Sequence, residues 1–475
     1  MIRPQGLNET CLCGSTLGGP HENGRYVKLG QARYRPVVKR AAFVVVLASA
    51  LLGPPLARAE IVPGSQGAQD ALLAVAPDGS PRVAFVAADG TLQVASRAAD
   101  GSWSSQILSG LPGARALVVG LTGTDLLAED PGGHWLALAE QEAGSWRVRT
   151  IAIAPTGGLL GFGGLALDAA GRPLVAYAVE VSSHKTWLRL VHEDAAGPLV
   201  GERVTRDGFP ASDVLPAAAP VVLGSGEVRV VEAYDTATIE WARKRNGKDW
   251  IGQIVYGSAL GSPAGVVQAA ATGSRVWSAW TELFPAYSES QLLLTLHAHG
   301  EQTTVLHHHA FLVSLALTAA GPEVAGDDYV DLLGARTVFA GVVIAGSTTL
   351  ELAGDLYGYA IDSTGGRQYL LLEPDGLGWY RAAAAPAATV TLAAAVDGAS
   401  FDLSGRVAGA AGGSVELWRE LQTGPALAAT LSLAADGSFV ASDLPPTRPL
   451  TYRAVYRDPA SGLPLAALVR TVLGA

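Results

Sequence analysis

The chain reads as short apolar runs interrupted by glycine turns. Stretches such as Leu92-Gln93-Val94-Ala95-Ser96 alternate apolar and polar residues, the period of two that lays one face of a strand against a core. Three longer stretches share one order, an apolar strand, a glycine turn and a second apolar strand: Ala76 to Phe85, Leu167 to Tyr177, and Leu317 to Ala325. Looser copies surround Gly123, Gly226, Gly273 and Gly354, so turn glycines fall at 79, 123, 171, 226, 273, 321 and 354. A second turn follows each first one. In four units it leads to a tryptophan: Asp100-Gly101-Ser102-Trp103, Ala143-Gly144-Ser145-Trp146, Asn246-Gly247-Lys248-Asp249-Trp250 and Asp375-Gly376-Leu377-Gly378-Trp379. Gly197, Gly300 and Gly334 fill the other units. Asx-Gly supplies the positive φ that a tight hairpin needs.

Two hairpins in series make a four-stranded meander, which alone cannot bury both faces. Stacking such units around an axis buries them, and the result is a β-propeller. Turn counting predicts an all-β chain with a seven-bladed propeller. The sixth blade, about 312–345, reads as short and degenerate, and without it the ring has six. The recurring tryptophan, placed at the start of the last strand, is expected to pack between blades. Unrelated hairpins in a sandwich or solenoid are the alternative, and the steady two-turn order favours the propeller.

The segment Leu165 to Tyr177 has the order L-x-x-D-x-x-G-x-P-x-V-A-Y. It resembles the degenerate repeats of secreted bacterial β-propellers, sialidase-like and lectin-like ones among them, over about 70–386. The resemblance implies a fold and names no substrate.

Beyond the Ala382-Ala383-Ala384-Ala385-Pro386-Ala387-Ala388 bridge the pattern changes. Strands are expected over Val390–Ala395, Phe401–Val407, Val415–Arg419, Ala428–Leu433, Ser438–Ala441, Leu450–Tyr456 and Ala466–Val472. Seven short strands in so brief a segment is immunoglobulin-like arithmetic. Leu403-Ser404-Gly405-Arg406-Val407, Val415-Glu416-Leu417-Trp418-Arg419, Ala435-Asp436-Gly437-Ser438-Phe439 and Thr451-Tyr452-Arg453-Ala454 resemble bacterial Ig-like domains. That resemblance implies a C-terminal β-sandwich that spaces, stabilises or adheres. The expected organisation is 1–59, 60–386 and 387–475.

The N-terminal segment changes the picture. Lys39 and Arg40 precede an unbroken apolar run from Ala41 to Gly53, followed by Pro54-Pro55-Leu56 and Ala57-Arg58-Ala59. The run is shorter than the ~20 residues a bilayer span needs. Charge, apolar core and A-x-A exit are the order of a secretory signal peptide, here with a long n-region and cleavage expected after Ala59. Removing 1–59 takes both cysteines, Cys11 and Cys13, and the only methionine. It also takes eight basic and two acidic residues, leaving 25 basic and 41 acidic and a net charge of −16. That balance argues against nucleic acid or an anionic membrane as partner, and no membrane span is expected. The 57 Gly and 27 Pro disfavour helix, the 49% apolar content excludes disorder, and two cysteines exclude a disulfide scaffold.

Catalytic motifs are sparse. G-x-S-x-G, H-E-x-x-H and a phosphate loop are all missing, and no catalytic residue is assigned. A sialidase needs three convergent arginines, a Tyr–Glu nucleophile and an Asp acid. Arg82, Arg172 and Arg275 adjoin turns in three units, but Glu60-Ile61-Val62-Pro63 lacks the arginine of that family's N-terminal motif. Ala128-Glu129-Asp130-Pro131-Gly132-Gly133-His134-Trp135 keeps only part of an Asp-box. Five histidines crowd one hairpin. With a three-residue loop His297, His299, His307 and His309 share a face and suit a divalent metal, and with a two-residue loop they separate. Asp327-Asp328-Tyr329-Val330-Asp331 offers oxygens to Ca²⁺ or is a solvated loop. Trp277, Trp280 and Tyr287 are candidates to stack on a sugar, or core residues. The expectation is a secreted, monomeric, non-enzymatic recognition or adhesion protein for a glycan or a cell-surface protein, needing no cofactor beyond a possible divalent metal. A sialidase-like glycoside hydrolase and a structural extracellular module are the alternatives.

Overall fold

A computed structural model describes residues 59–475 apart from 114, 183–184, 195–196, 206–215, 235–236, 245–246, 248, 258–261, 285–288, 298–301, 332–336, 398–399, 411, 422–423, 445–449 and 472–475. Strand β1 (Glu60–Ile61) is followed by a first sheet of β2–β5 (Asp70–Val75, Pro81–Val86, Leu92–Arg97, Trp103–Ile107) and a second of β6–β9 (Leu117–Leu121, Asp125–Glu129, Trp135–Glu142, Ser145–Ile153). The third holds β10–β13 (Gly164–Leu167, Pro173–Ser182, Lys185–Glu193, Leu199–Arg203) and the fourth β14–β17 (Ala217–Val222, Val228–Tyr234, Ala237–Arg243, Trp250–Gly257). The fifth holds β18–β21 (Ser262–Thr272, Arg275–Phe284, Glu289–His297, Gln302–His308), and β22–β25 (Ala310–Thr318, Gly321–Asp331, Thr337–Ala345, Thr348–Leu352) make a sixth meander. The closing sheet has β26–β28 (Leu356–Ile361, Arg367–Glu373, Gly376–Ala382) and takes β1 as its outer strand.

The first strands of these sheets touch in chain order, β2, β6, β10, β14, β18, β22 and β26, and β26 touches β2 again. The sheets therefore stand around an axis, as in a β-propeller. Each seam between neighbours carries its own apolar cluster. Val83, Phe85 and Leu370 fill the seam of first and closing sheets, and Val94, Leu126 and Ala137 the next. Trp146 and Trp250 pack in such seams as expected.

Closure depends on β1. Glu60 and Ile61 pair with Trp379 and Gly378, and the Val62 N–H donates to Leu377 O at 2.8 Å. Arg97 of the first sheet donates to Glu60 at 2.6 and 2.8 Å, and Trp103 Nε1 donates to it at 3.0 Å. Trp103 meets Trp379 edge to face at 6.0 Å. Trp379 thus lies in the third strand of its sheet and not the last, because residues 60–61 supply the last.

The first strands carry bulges. In β6, β22 and β26 the extra residue is Val119, Val313 or Tyr357. The N–H groups beside them, at Val118, Leu312 and Leu356, donate to the preceding sheet: to Asp70 at 2.9 Å, Thr281 Oγ1 at 2.7 Å and Asp327 at 3.0 Å. Glycine after two of the bulges permits close approach of the following sheet on the other side. A Cβ on Gly120 would meet Leu165 Cβ at 2.8 Å, and one on Gly358 would meet Leu73 Cβ at 2.4 Å.

Two expectations fail here. The sixth meander is neither short nor degenerate, since its strands run from Ala310 to Leu352. Gly354 is not the hairpin turn of the closing sheet, because it joins β25 to β26, and the hairpin turn holds Gly365 (φ 84°).

The C-terminal strands are β29–β35 (Thr389–Asp397, Ser400–Ala408, Ser414–Leu421, Gly424–Ser432, Ser438–Leu444, Leu450–Arg457, Pro464–Thr471). They form a three-stranded sheet, β29-β30-β33, and a four-stranded run, β35-β34-β31-β32, with β29 packed on β34 and β35. Strand β35 pairs with β25 at Leu465 and Leu352, so that run extends the sixth meander into eight strands. One core runs across the junction, with Leu352, Tyr369 and Tyr380 clustered with Leu403, Leu417, Tyr452 and Leu465.

Thr281→Val keeps the volume but removes the acceptor of the Leu312 N–H. We expect it to lower unfolding stability by roughly 1–3 kcal/mol, the cost of a buried unpaired donor, with an unchanged denaturant slope, and Thr281→Ser to recover most of the loss. Denaturation midpoints of the three proteins check this.

Candidate functional site

Of the sequence-selected residues, Trp280 and His297 lie in the seam between the fourth and fifth sheets. Trp280 is 1% exposed and packs on Tyr256 at 5.4 Å between ring centres. It is a core residue and offers no face to a sugar. Trp277, three residues away on β19, is half-buried and points to the other side of the strand. Tyr287 and His299 lie outside the described residues.

The histidines do not gather. Strand β20 ends at His297 and β21 begins at Gln302, with Leu296 opposite Gln302 and Leu292 opposite His307. His307 therefore sits five residues down the hairpin from His297, roughly 16 Å at about 3.3 Å per residue. His307 lies 3.9 Å from Asp328, and His309 is exposed at φ 63°. Among the described residues no three His, Cys, Asp or Glu side chains come together as metal ligands.

His297 instead belongs to a buried relay. Its Nδ1 lies 2.5 Å from Glu240 Oε2 on β16, and its Nε2 lies 2.7 Å from Ser278 Oγ on β19. Arg229 on β15 donates to the other oxygen of Glu240. Burial pushes the Glu240 carboxyl up, but the hydrogen bonds and charges of His297 and Arg229 outweigh it and hold the group below the ordinary carboxylate range. Serine, imidazole and carboxylate stand in the order of a nucleophile relay. Ser278, however, is 0% exposed. Its hydroxyl faces the neighbouring sheet, so the relay fastens two sheets together. Nothing in the spacing of Glu240, Ser278 and His297 announces it, because the partners come from two repeats.

A second buried acid lies in the seam of third and fourth sheets. Glu232 is 0% exposed and takes a 2.9 Å bond from Trp241 Nε1, while its Oε1 meets no hydrogen-bond partner. Burial raises its pKa to about 8, with the Trp241 bond opposing, so the acid is neutral at neutral pH.

The arginines that a sialidase would converge are spread through the first, third and fifth sheets. Arg82 lies 5.8 Å over Trp146, and Arg172 donates to Asp168 at 2.8 Å. Asp130 accepts from Gly132 N at 2.9 Å and His134 N at 3.2 Å, an Asx turn of the β7–β8 hairpin.

An open concavity lies elsewhere. The β3–β4 turn and the connection from β5 to β6 enclose a cleft of about 220 Å³. Asp89, Thr91, Ile107, Leu111 and Arg115 line it. Thr91 fixes the Asp89 carboxylate through its N–H at 2.9 Å and its hydroxyl at 2.7 Å, and these bonds hold the acid below its ordinary range. Ile107 is 65% exposed and Arg115 is exposed. The cleft thus presents an anion, a cation and apolar surface within one small volume.

No family model and no curated protein matches the sequence. Solved structures similar to the chain include virginiamycin B lyase from Staphylococcus aureus, with 11% identity over 67% of this chain and 96% of that one and a TM-score of 0.43. AofleA from Arthrobotrys oligospora is 12% identical over 62% and 88%, with a TM-score of 0.39. Aleuria aurantia lectin is 10% identical over 68% and 96%, with a TM-score of 0.36.

The buried acid gives a pH test. The folded Glu232 pKa, about 8, exceeds the ordinary glutamate value of 4.5. The folded state therefore holds the extra proton between those values, and stability falls as pH rises through that window, at up to about 1.4 kcal/mol per pH unit. Glu232→Gln should abolish that slope, leaving the variant more stable than the parent at pH 9 and the two converging toward pH 4.5. Thermal unfolding across this range reads it.

Proposed function

We propose that the chain is an exported recognition protein: a seven-bladed propeller over 60–386 carrying an Ig-like sandwich over 387–475, released after a signal peptide cut near Ala59. The propeller rim binds a carbohydrate or a protein ligand without turning it over, and the protein acts as a monomer. One observation carries this reading, the cleft between the β3–β4 turn and the β5–β6 connection, where Asp89, Arg115 and exposed Ile107 meet around a volume suited to one small group or side chain. Clefts with a few fixed polar groups and apolar walls bind by orientation, and the Thr91 clamp on Asp89 supplies that fixity. The Ser278 relay supports the same reading, because its only hydroxyl is committed to the seam. The sandwich, sharing a core with the propeller, holds the rim at a set distance from whatever the C-terminal strands contact.

The test screens the purified full-length chain on a glycan array and a panel of cell-surface proteins, with sugar release read in parallel. Binding without release, weakened about tenfold or more in Arg115→Ala and in Ile107→Asp, is the expected result. Sugar release would establish a glycoside hydrolase instead, and binding that ignores both substitutions would move the site off this cleft.

A further inference from the structure

We propose that Arg189 and Arg203, on the third sheet, form a binding site for a small ligand carrying one carboxylate or sulfate group. The two arginines are directly opposite one another on β12 and β13. Their guanidinium carbons lie 5.6 and 4.9 Å from the centre of the Trp187 ring, which stands two residues from Arg189 on the same strand. Tyr177 is the cross-strand neighbour of Arg189 on the other side. Trp187, Arg189, Arg203 and Tyr177 therefore share the sheet face turned toward the second sheet.

Two like charges directly opposite on paired strands repel. Other arginines of the ring answer their charge: Arg97 with Glu60, Arg149 with Glu140, Arg229 with Glu240, Arg243 with Glu202, Arg367 with Glu323 and Arg381 with Asp362. Among the described residues Arg189 and Arg203 meet no carboxylate, and stacking on Trp187 is what orients them. A third donor accompanies them, since Trp187 Nε1 is buried and meets no hydrogen-bond partner among the described residues. Arg203 is exposed and Arg189 half-buried, so the two guanidiniums are reachable from solvent. Two planar forks beside one another suit an oxyanion with several acceptor atoms. The chain carries a net charge of −10, which repels a polyanion at long range and favours a ligand with a single charged group. The site is independent of the cleft at Asp89 and Arg115.

The test is calorimetric titration of the full chain with glucuronate, a monosaccharide sulfate, inorganic sulfate and glucose. Saturable millimolar binding of at least one anion, and none of glucose, is expected, and the glucuronate and sulfate arms tell which oxyanion fits. Arg189→Gln and Arg203→Gln should each weaken binding roughly tenfold, the loss of one charge-assisted contact. In anion-free buffer both variants should melt no lower than the parent, because a like-charge contact is relieved. Arg203→Lys keeps the charge without the fork and should bind between parent and Arg203→Gln. Arg115→Ala should leave this binding unchanged. No saturable anion binding, or binding untouched by both Gln substitutions (an adventitious ion only), overturns the proposal. A marked loss of stability in both Gln variants without anion would show a structural pair and overturn it as well.

Discussion

A backbone N–H freed by a bulge has nowhere to go inside a dry seam unless a neighbour takes it. In this ring the neighbour is the preceding sheet. Asp70, Thr281 and Asp327 each accept such a donor from the first strand of the following sheet. At the bulge in β22 the arrangement is fuller: Gln268 donates to Val313 O at 3.0 Å and accepts from Leu315 N at 2.7 Å, beside the Thr281 bond. Apolar burial pulls sheets together without fixing their register, whereas these bonds have direction and length. They set the rotation of one sheet on the next, and the clusters in the seams fill around them.

Several polar side chains of the seams are committed in the same way. The Arg229–Glu240–His297–Ser278 chain crosses from the fourth sheet to the fifth. Glu323 on the sixth sheet takes bonds from Tyr359 and Arg367 of the closing sheet. A buried acid in such a chain is inexpensive only while its partners stay, so the chemistry-bearing residues of these chains hold the frame.

Much of the frame was legible in the chain, for a local reason. A hairpin needs a turn residue at a fixed place and alternation on either side, and both are written in adjacent residues. The expected strand Leu450–Tyr456, for example, lies within β34 (Leu450–Arg457). Gly354 misled because a positive φ serves equally well between sheets as within a hairpin. Trp379 misled because the strand that follows it in space precedes it in the chain. The histidines misled because the phase of a hairpin depends on the residues in its loop and on a bulge between Leu292 and Leu293. Among the described candidate residues His297 entered a buried polar constellation, with Ser278 from its own sheet and Glu240 from the preceding one. Charge type and spacing show no such encounter, nor do they show that Arg189 and Arg203 stand opposite each other.

The pairing of β1 with β28 has a consequence for how the molecule is made. The strand that completes the ring is synthesised first and its partner last, with nearly the whole ring between them. Until β28 exists, Glu60 and Ile61 have no ladder, and Phe85 and Val83 have only β26 and β27 of the closing sheet to pack on. The sheets form from local contacts, but the circle is a contact of long sequence separation, the kind that slows folding. A nascent chain halted before residue 376 has the seam of the closing sheet without the ladder that ties it to the N-terminal strand.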